Sequence, residues 1–329
     1  MKIDIKKVNP VKNTNTIKKV NIIFNGVKTY SVLKRKSKVE VEDFARPQGR
    51  GSSFSDFYHS FPNILKARDL HLVVEAVLKA RKQKKSLIFM AGAHVIKCGL
   101  NPLVIDLLRK KAITCVCLNG AGIIHDFEIA LQGRTSEDVA ANLKDGKFGM
   151  GKETAEFINN AVREGVGRGL GLGYAVGRKM DEAKLRYKNL SLIFNAYKYK
   201  VALCVFVAIG TDIIHQHPSF DGASAGEGSL RDFHKLTQEV AGLANGGVAL
   251  NFGSAVILPE VFIKALNLAR NLGHKVENFV TANFDMVYHY RPQLNIVSRP
   301  TQGSGQGYYI IGHHEIMLPL LHRAIIEYI

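Results

Sequence analysis

Residues 86–122 read SLIFMAGAHVIKCGLNPLVIDLLRKKAITCVCLNGAG, and this stretch decides the fold. Ser86–Met90 is an apolar run of strand length that ends in the small residues Ala91-Gly92-Ala93 and in His94. Pro102–Lys111 carries helical spacing, with Asn101 as its N-cap and Pro102 in the first turn, where a missing N–H leaves nothing unpaired. Ile113–Leu118 (ITCVCL) is a second apolar run, closed by Asn119-Gly120-Ala121-Gly122. Strand, helix and strand within about thirty residues make a βαβ unit, which predicts parallel pairing.

The same alternation holds on either side. Leu70–Lys82 is helical and ends in a basic turn. Leu203–Ile209 reads as a strand, Ser229–Ala244 as a helix, Val248–Phe252 as a strand and Glu260–Leu272 as a helix. Asn278–Thr281 is a short strand and Glu315–Ile326 a last helix. The pattern predicts a single α/β domain over residues 51–329, built on a doubly wound, mostly parallel, Rossmann-like sheet. Residues 1–50 read as a basic arm, with Val20–Phe24 and Thr29–Leu33 forming a small hairpin around Asn25-Gly26. Open sheets of this class bind ligands outside the carboxyl ends of their strands. That rule selects Ala91–Gly99, Asn119–Asp126, Thr211–Glu227, Asn251–Ala255 and Thr281–Asp285, which are expected to converge on one polar cleft.

Composition narrows the function. The 329 residues are 46% hydrophobic and 22% charged, which is material for a globular core and excludes wholesale disorder. The longest apolar run, Val201–Ile209, is about half of the ~20 residues that a membrane-spanning helix needs. No apolar leader opens the chain, and Cys98, Cys115, Cys117 and Cys204 form no CxxC pair, so reduced thiols and a cytoplasmic address are expected. The net charge is +17, and residues 1–40 hold eleven Lys/Arg against Asp4 and Glu40. Such an arm can meet an acidic partner, but it lacks the interleaved aromatics of a single-strand binder, which argues against nucleic acid.

Candidate chemistry follows the loops. Gly165–Gly177 (GVGRGLGLGYAVG) comes after a helical pattern at Lys152–Arg163, not after a strand, so it reads as close helix packing and not as a dinucleotide fingerprint. His215 and His217, with Asp221, Glu227, His313 and His314, offer metal donors in principle, without HExxH or paired-Cys spacing. Lys97 could contact a phosphate or form an imine. Arg299–Gly307 reads as a glycine-rich loop that could meet an anion or act as a lid.

The stretches AGAHVIKCGLNPLVIDLL (91–108), LNGAGIIHDFEIALQGRTSEDV (118–139), TDIIHQHPSFDGASAGEGSLRDF (211–233), LNFGSAVILPEVFIKAL (250–266) and GHHEIMLPLL (312–321) resemble the deoxyhypusine synthase family, in particular its shorter bacterial branch. The resemblance implies NAD binding, a homotetramer with sites at dimer interfaces, and transferase chemistry on a polyamine through an imine on an enzyme lysine. It places dinucleotide contacts on Ala93, His94, Lys97, Asn119, Gly120, Ala121, Asp221, Thr281, Ala282 and His313. It places acidic substrate contacts near His125, where Asp126 alone keeps a carboxylate.

Two departures from the family matter. No lysine follows Lys275, and Val297-Ser298-Arg299-Pro300 stands where the family has Trp-Gly-Lys. A guanidinium stays protonated and is no amine nucleophile. The family's Lys-His-His stretch is replaced by Gly253-Ser254-Ala255-Val256-Ile257-Leu258-Pro259. The expectation is therefore an NAD-linked enzyme acting on an amine or polyamine without the family's lysine imine. His125, His215 or His217 would serve as acid/base, and Asp126, Asp221, Glu227 and Asp285 would hold the cation. A metal-dependent hydrolase or lyase and a catalytically silent regulatory homologue are the alternatives.

Overall fold

A strand buried on both faces needs an unbroken apolar run, and the runs identified above become strands. The computed structural model describes residues 24–329. Residues 24–41 belong to a separate unit. They carry two single 3-10 turns, Phe24–Gly26 and Val32–Lys34, and no strand. Thr29–Leu33 is therefore not half of a hairpin, and Val20–Ile23 lie outside the described residues.

The body, Glu42–Ile329, begins with α1 (Phe54–His59) and α2 (Leu65–Lys82). Next come β1 (Leu87–Ala91), α3 (Ala93–Lys97), α4 (Asn101–Arg109), β2 (Cys115–Asn119) and α5 (Gly120–Gln132). An all-helical insertion follows: α6 (Val139–Leu143), α7 (Lys152–Val166), α8 (Leu172–Glu182) and α9 (Leu192–Lys198). The second half is β3 (Ala202–Phe206), α10 (Gly222–Ala241), β4 (Val248–Phe252), α11 (Ile257–Asn271) and β5 (Val280–Asp285). After α12 (Tyr290–Pro292) and a π-turn at Gln293–Ser298, β6 (Gln306–Ile311) and α13 (His314–Ile326) end the chain.

The six strands are all parallel, in the order β3-β2-β1-β4-β5-β6. That is the Rossmann order, with its reversal between β1 and β4. One face, with Leu87, Phe89, Val116 and Phe252, packs under α2, α4, α5, α7, α8, α9 and α13. The other, with Ile88, Met90, Cys117 and Ala249, packs under α10 and α11. Phe252 stacks between Phe89 and Phe284, at 5.3 and 4.4 Å between ring centres, all three fully buried. Each such ring contributes about 2–3 kcal/mol by leaving water.

The glycine run packs helices, as its context predicts. A Cβ on Gly165 would lie 2.3 Å from that of Ala175, and one on Gly173 2.8 Å from Leu203. Three expectations need correction. Asn101 lies inside α4, whose N-cap is Leu100, and its amide reaches Asp126 and the Leu190 carbonyl instead of the helix N-terminus. Arg299–Gly307 runs into the amino end of β6, at the opposite end of the strands from the loops at their carboxyl ends, so it does not overhang those loops. Ala93 and His94 start a helix instead of continuing a loop.

Candidate functional site

Helix α5 leaves β2 directly and turns Ala121, Ile124, His125 and Glu128 toward a cleft of about 230 Å³. The spacing i, i+3, i+4, i+7 is one helix face. Lys97 at the end of α3, Glu137 and Val139, Phe148, and Thr211–Ile213 after β3 complete the walls.

His125 is oriented by a relay. The Thr135 hydroxyl donates to Glu128, so its oxygen must accept from His125 Nδ1, 2.7 Å away. The proton then sits on Nδ1, and Nε2 is the basic nitrogen available to a ligand. Burial acts to raise the Glu128 carboxyl, but hydrogen bonds from His125, Thr135 and Thr154 outweigh it and hold the group below its ordinary range.

Asp212 and His215 form a second pair behind this wall. Gly210 and Asp212 N–H groups donate to His215 Nδ1 at 3.1 and 3.3 Å, which puts the ring proton on Nε2, 3.7 Å from Asp212 Oδ2. Neither Nε2 nor Oδ2 has a hydrogen-bond partner, and both are buried. The carboxylate reaches the first turn of α5 because Gly120 has no side chain: a Cβ there would lie 1.9 Å from Oδ2. Burial pushes the Asp212 carboxyl up to about 6, against one hydrogen bond from the Ala121 N–H, and lowers His215.

An acid with a raised folded pKa binds more protons in the native state, so it favours folding below the unfolded value and loses that contribution as pH rises to about 6. A shift of this size is worth about 3 kcal/mol. Thermal melts should show a midpoint falling between about pH 4 and 6 and a flatter profile for Asp212→Asn; parallel profiles would remove Asp212 from this account.

The structure divides the remaining candidates. Asp126 is fully buried, with hydrogen bonds from Asn101, Ser191 and the Leu192 and Ile193 N–H groups. It caps α9 and has no face for a substrate. Asp221 caps α10 through Ala223 and Ser224. Glu227 pairs with Arg231 at 2.8 Å. His217 Nε2 donates to the Gly149 carbonyl at 2.8 Å, which ties the cleft's outer loop down.

The five loops do not form one cleft. Those after β1, β2 and β3 line it, while the half-buried Gly253 after β4 and the buried Asp285 and His314, at the ends of β5 and beyond β6, pack as a separate group. Helix α3 touches both, with Lys97 in the cleft and the His94 ring 5.9 Å from that of His314. The cleft therefore does contain an amine. Glu128, Glu137 and Asp212 were not foreseen. Nor do the histidines make a metal centre: among the described residues the one cluster of three or more His, Cys, Asp or Glu donors is Cys115, Cys117 and Cys204.

A dinucleotide needs free N–H groups or cations for its phosphates. At α5 the Gly122 N–H is taken by Asn119 and the Ala121 N–H by Asp212, so Asn119-Gly120-Ala121 offers no phosphate cradle. Thr281 and Ala282 are wholly buried in β5. His94 and Lys97 are exposed on α3, and His313 is exposed ahead of α13, whose N-terminus has no side-chain cap. The fit is on the α3–α13 side and not at α5.

No protein-family model matches the chain, and no curated protein is similar to it in sequence. Several solved structures share its fold. ArgZ, an arginine dihydrolase from the ornithine–ammonia cycle in cyanobacteria, is 17% identical with a TM-score of 0.51, over 79% of this chain and 31% of ArgZ. AgrE, solved in a ternary complex with ornithine and NAD+, is 15% identical with a TM-score of 0.50, over 80% of this chain and 34% of AgrE. A candidate deoxyhypusine synthase from Entamoeba histolytica is 9% identical with a TM-score of 0.51, over 84% of this chain and 94% of its own. The chain thus spans about a third of ArgZ and AgrE, and the likeness is one of fold.

Proposed function

We propose that the chain is an enzyme acting on a small cationic amine, and more narrowly on a basic amino acid, bound in the α3–α5 cleft with NAD as redox partner. One observation carries the reading: an oriented His125 shares a cleft with Glu128, Glu137, Asp212 and a single lysine, Lys97. Carboxylates suit an ammonium group, and Lys97 suits a substrate carboxylate. A polyamine would leave Lys97 facing like charge. AgrE, a third of which shares this fold, was solved with ornithine and NAD+, which supports the same class.

His125 Nε2 takes or returns the proton at the reacting amine, and Thr135 and Glu128 hold the ring while it does so. Asp212, raised by burial to about 6, is a carboxyl in the same cleft that can hold or release a proton. NAD, when bound, would supply the hydride acceptor that an amine oxidation requires, and the exposed His94 and His313 are the side chains on the α3–α13 side that would meet its phosphates.

Thermal shift tests this with ornithine against putrescine, which is the same chain without the carboxylate. At 100 times Kd a ligand adds about 2.7 kcal/mol, a shift of several degrees. Ornithine is expected to outperform putrescine, and Lys97→Met to erase the difference. A panel of basic amino acids and polyamines that moves the midpoint by less than 1 °C, roughly the reading error at this stability change, would sink the reading. NAD+ is tested in a separate arm, where a null result would remove the dinucleotide and leave the amine site standing.

A further inference from the structure

Cys115 and Cys117 alternate on β2 and so point to one face of the sheet, and Cys204 stands in register with Cys117 on β3. Their three sulfurs lie within 4.8 Å of one another, and Cys115 and Cys117 Sγ are 3.7 Å apart. All three side chains are fully buried beneath α10 and α11. Among the described residues the thiols' hydrogen-bond partners are one another, and these bonds together with burial push all three well above the ordinary thiol range. The charged groups that bear on them all come from α10: Asp232, Lys235 and Glu239.

We propose that Cys115, Cys117 and Cys204 form a three-sulfur site for a soft monovalent metal ion, of the Cu(I) class. An ion equidistant from three sulfurs at about 2.3 Å needs them about 4 Å apart in a trigonal plane, which the present spacing nearly provides. Structural zinc takes four ligands, and no fourth donor joins this cluster among the described residues. Sulfur donors select Cu(I). The thiolate is the ligand form, so binding one Cu(I) at three sulfurs releases three thiol protons to solvent, and no electron moves. Lys235 on α10 bears on the cluster and offsets part of the negative charge that remains.

The test is anaerobic titration of the full-length protein with Cu(I) against a chromophoric Cu(I) chelator, alongside protein produced in copper-supplemented cells. The expected result is one retained equivalent and an X-ray absorption signal of three sulfurs near 2.3 Å, as for a metal–thiolate bond. Cys117→Ala and Cys204→Ala should each lower the affinity at least a hundredfold, while Cys98→Ser, just past the end of α3 and outside the cluster, should change nothing. Because a core variant can fail to fold, the sulfur count on the wild-type protein stands as an independent measure. Retention below a tenth of an equivalent, fewer than three sulfurs on the metal, or equal retention by folded Cys117→Ala would each overturn the site.

Discussion

Asp126→Ala is expected to lose about 4 kcal/mol of stability, lowering the melting midpoint on the order of 10 °C, whether or not a ligand is present. Four donors from two other elements converge on this one carboxylate: the Asn101 amide on α4 at 2.8 Å, the Ser191 hydroxyl, and the Leu192 and Ile193 N–H groups at 2.8 and 3.1 Å. Removing the acceptor leaves all of them buried and unpaired, at about 1–3 kcal/mol each before any relaxation. Asp126→Asn should cost less but still measurably, because its NH2 would face donors. Burial raises the Asp126 carboxyl to about 6 despite those donors, so the native state holds it more neutral than the unfolded chain does. The measurement is urea unfolding with an unchanged m-value, paired with the ornithine shift. A loss under 1 kcal/mol would contradict the capping role. A folded Asp126→Asn that no longer responds to ornithine would restore Asp126 as a substrate contact.

Asp126 also shows where sequence reading stops. His125 and Asp126 are neighbours in the chain but about 100° apart around α5, so one faces the cleft and the other the core. The stripe Ala121, Ile124, His125, Glu128 was available from helical spacing alone, and would have named Glu128 in place of Asp126. Strands β1 and β2 were legible because both their faces are buried in apolar surroundings, whereas β5, read as Asn278–Thr281, runs Val280–Asp285, where the buried Thr281, Asn283 and Asp285 break the apolar run. Strand β6 was not legible: it is an edge strand, exposed at Gln306 and Ile311, and its glycine and polar residues imitate a loop. The Cys115/Cys117 alternation on one strand was visible in ITCVCL, whereas their meeting with Cys204 depends on the β2–β3 register. Asp212 could not be read from its own surroundings in the chain, because its position depends on the missing side chain of Gly120, far off in sequence.

A second glycine yields the other large prediction. Gly92→Ala is expected to cost about 3 kcal/mol and to abolish the response to ornithine. Residue 92 has ordinary extended dihedrals, φ −71° and ψ 160°, so alanine meets no backbone penalty there. The obstacle is contact. At the reversal point of the sheet the Gly92 N–H donates to the Phe252 carbonyl at 2.9 Å, and an added Cβ would fall 2.3 Å from the Gly253 carbonyl oxygen. That neighbour is backbone and cannot rotate away. Gly253 is itself held at φ +63°, with the His314 ring where its own side chain would be, so it cannot retreat. The β1 and β4 ends must therefore part, and α3, which starts at the next residue, must shift Lys97 out of the cleft. Gly226→Ala is the control. It lies within α10 with nothing near its missing Cβ, and alanine there should stabilise by about 0.5–1 kcal/mol through helix propensity. Urea unfolding of the two variants separates the effects by sign. A Gly92→Ala protein within 1 kcal/mol of wild type and still responsive to ornithine would show that the strand ends have room to move, and that the cleft does not depend on their contact.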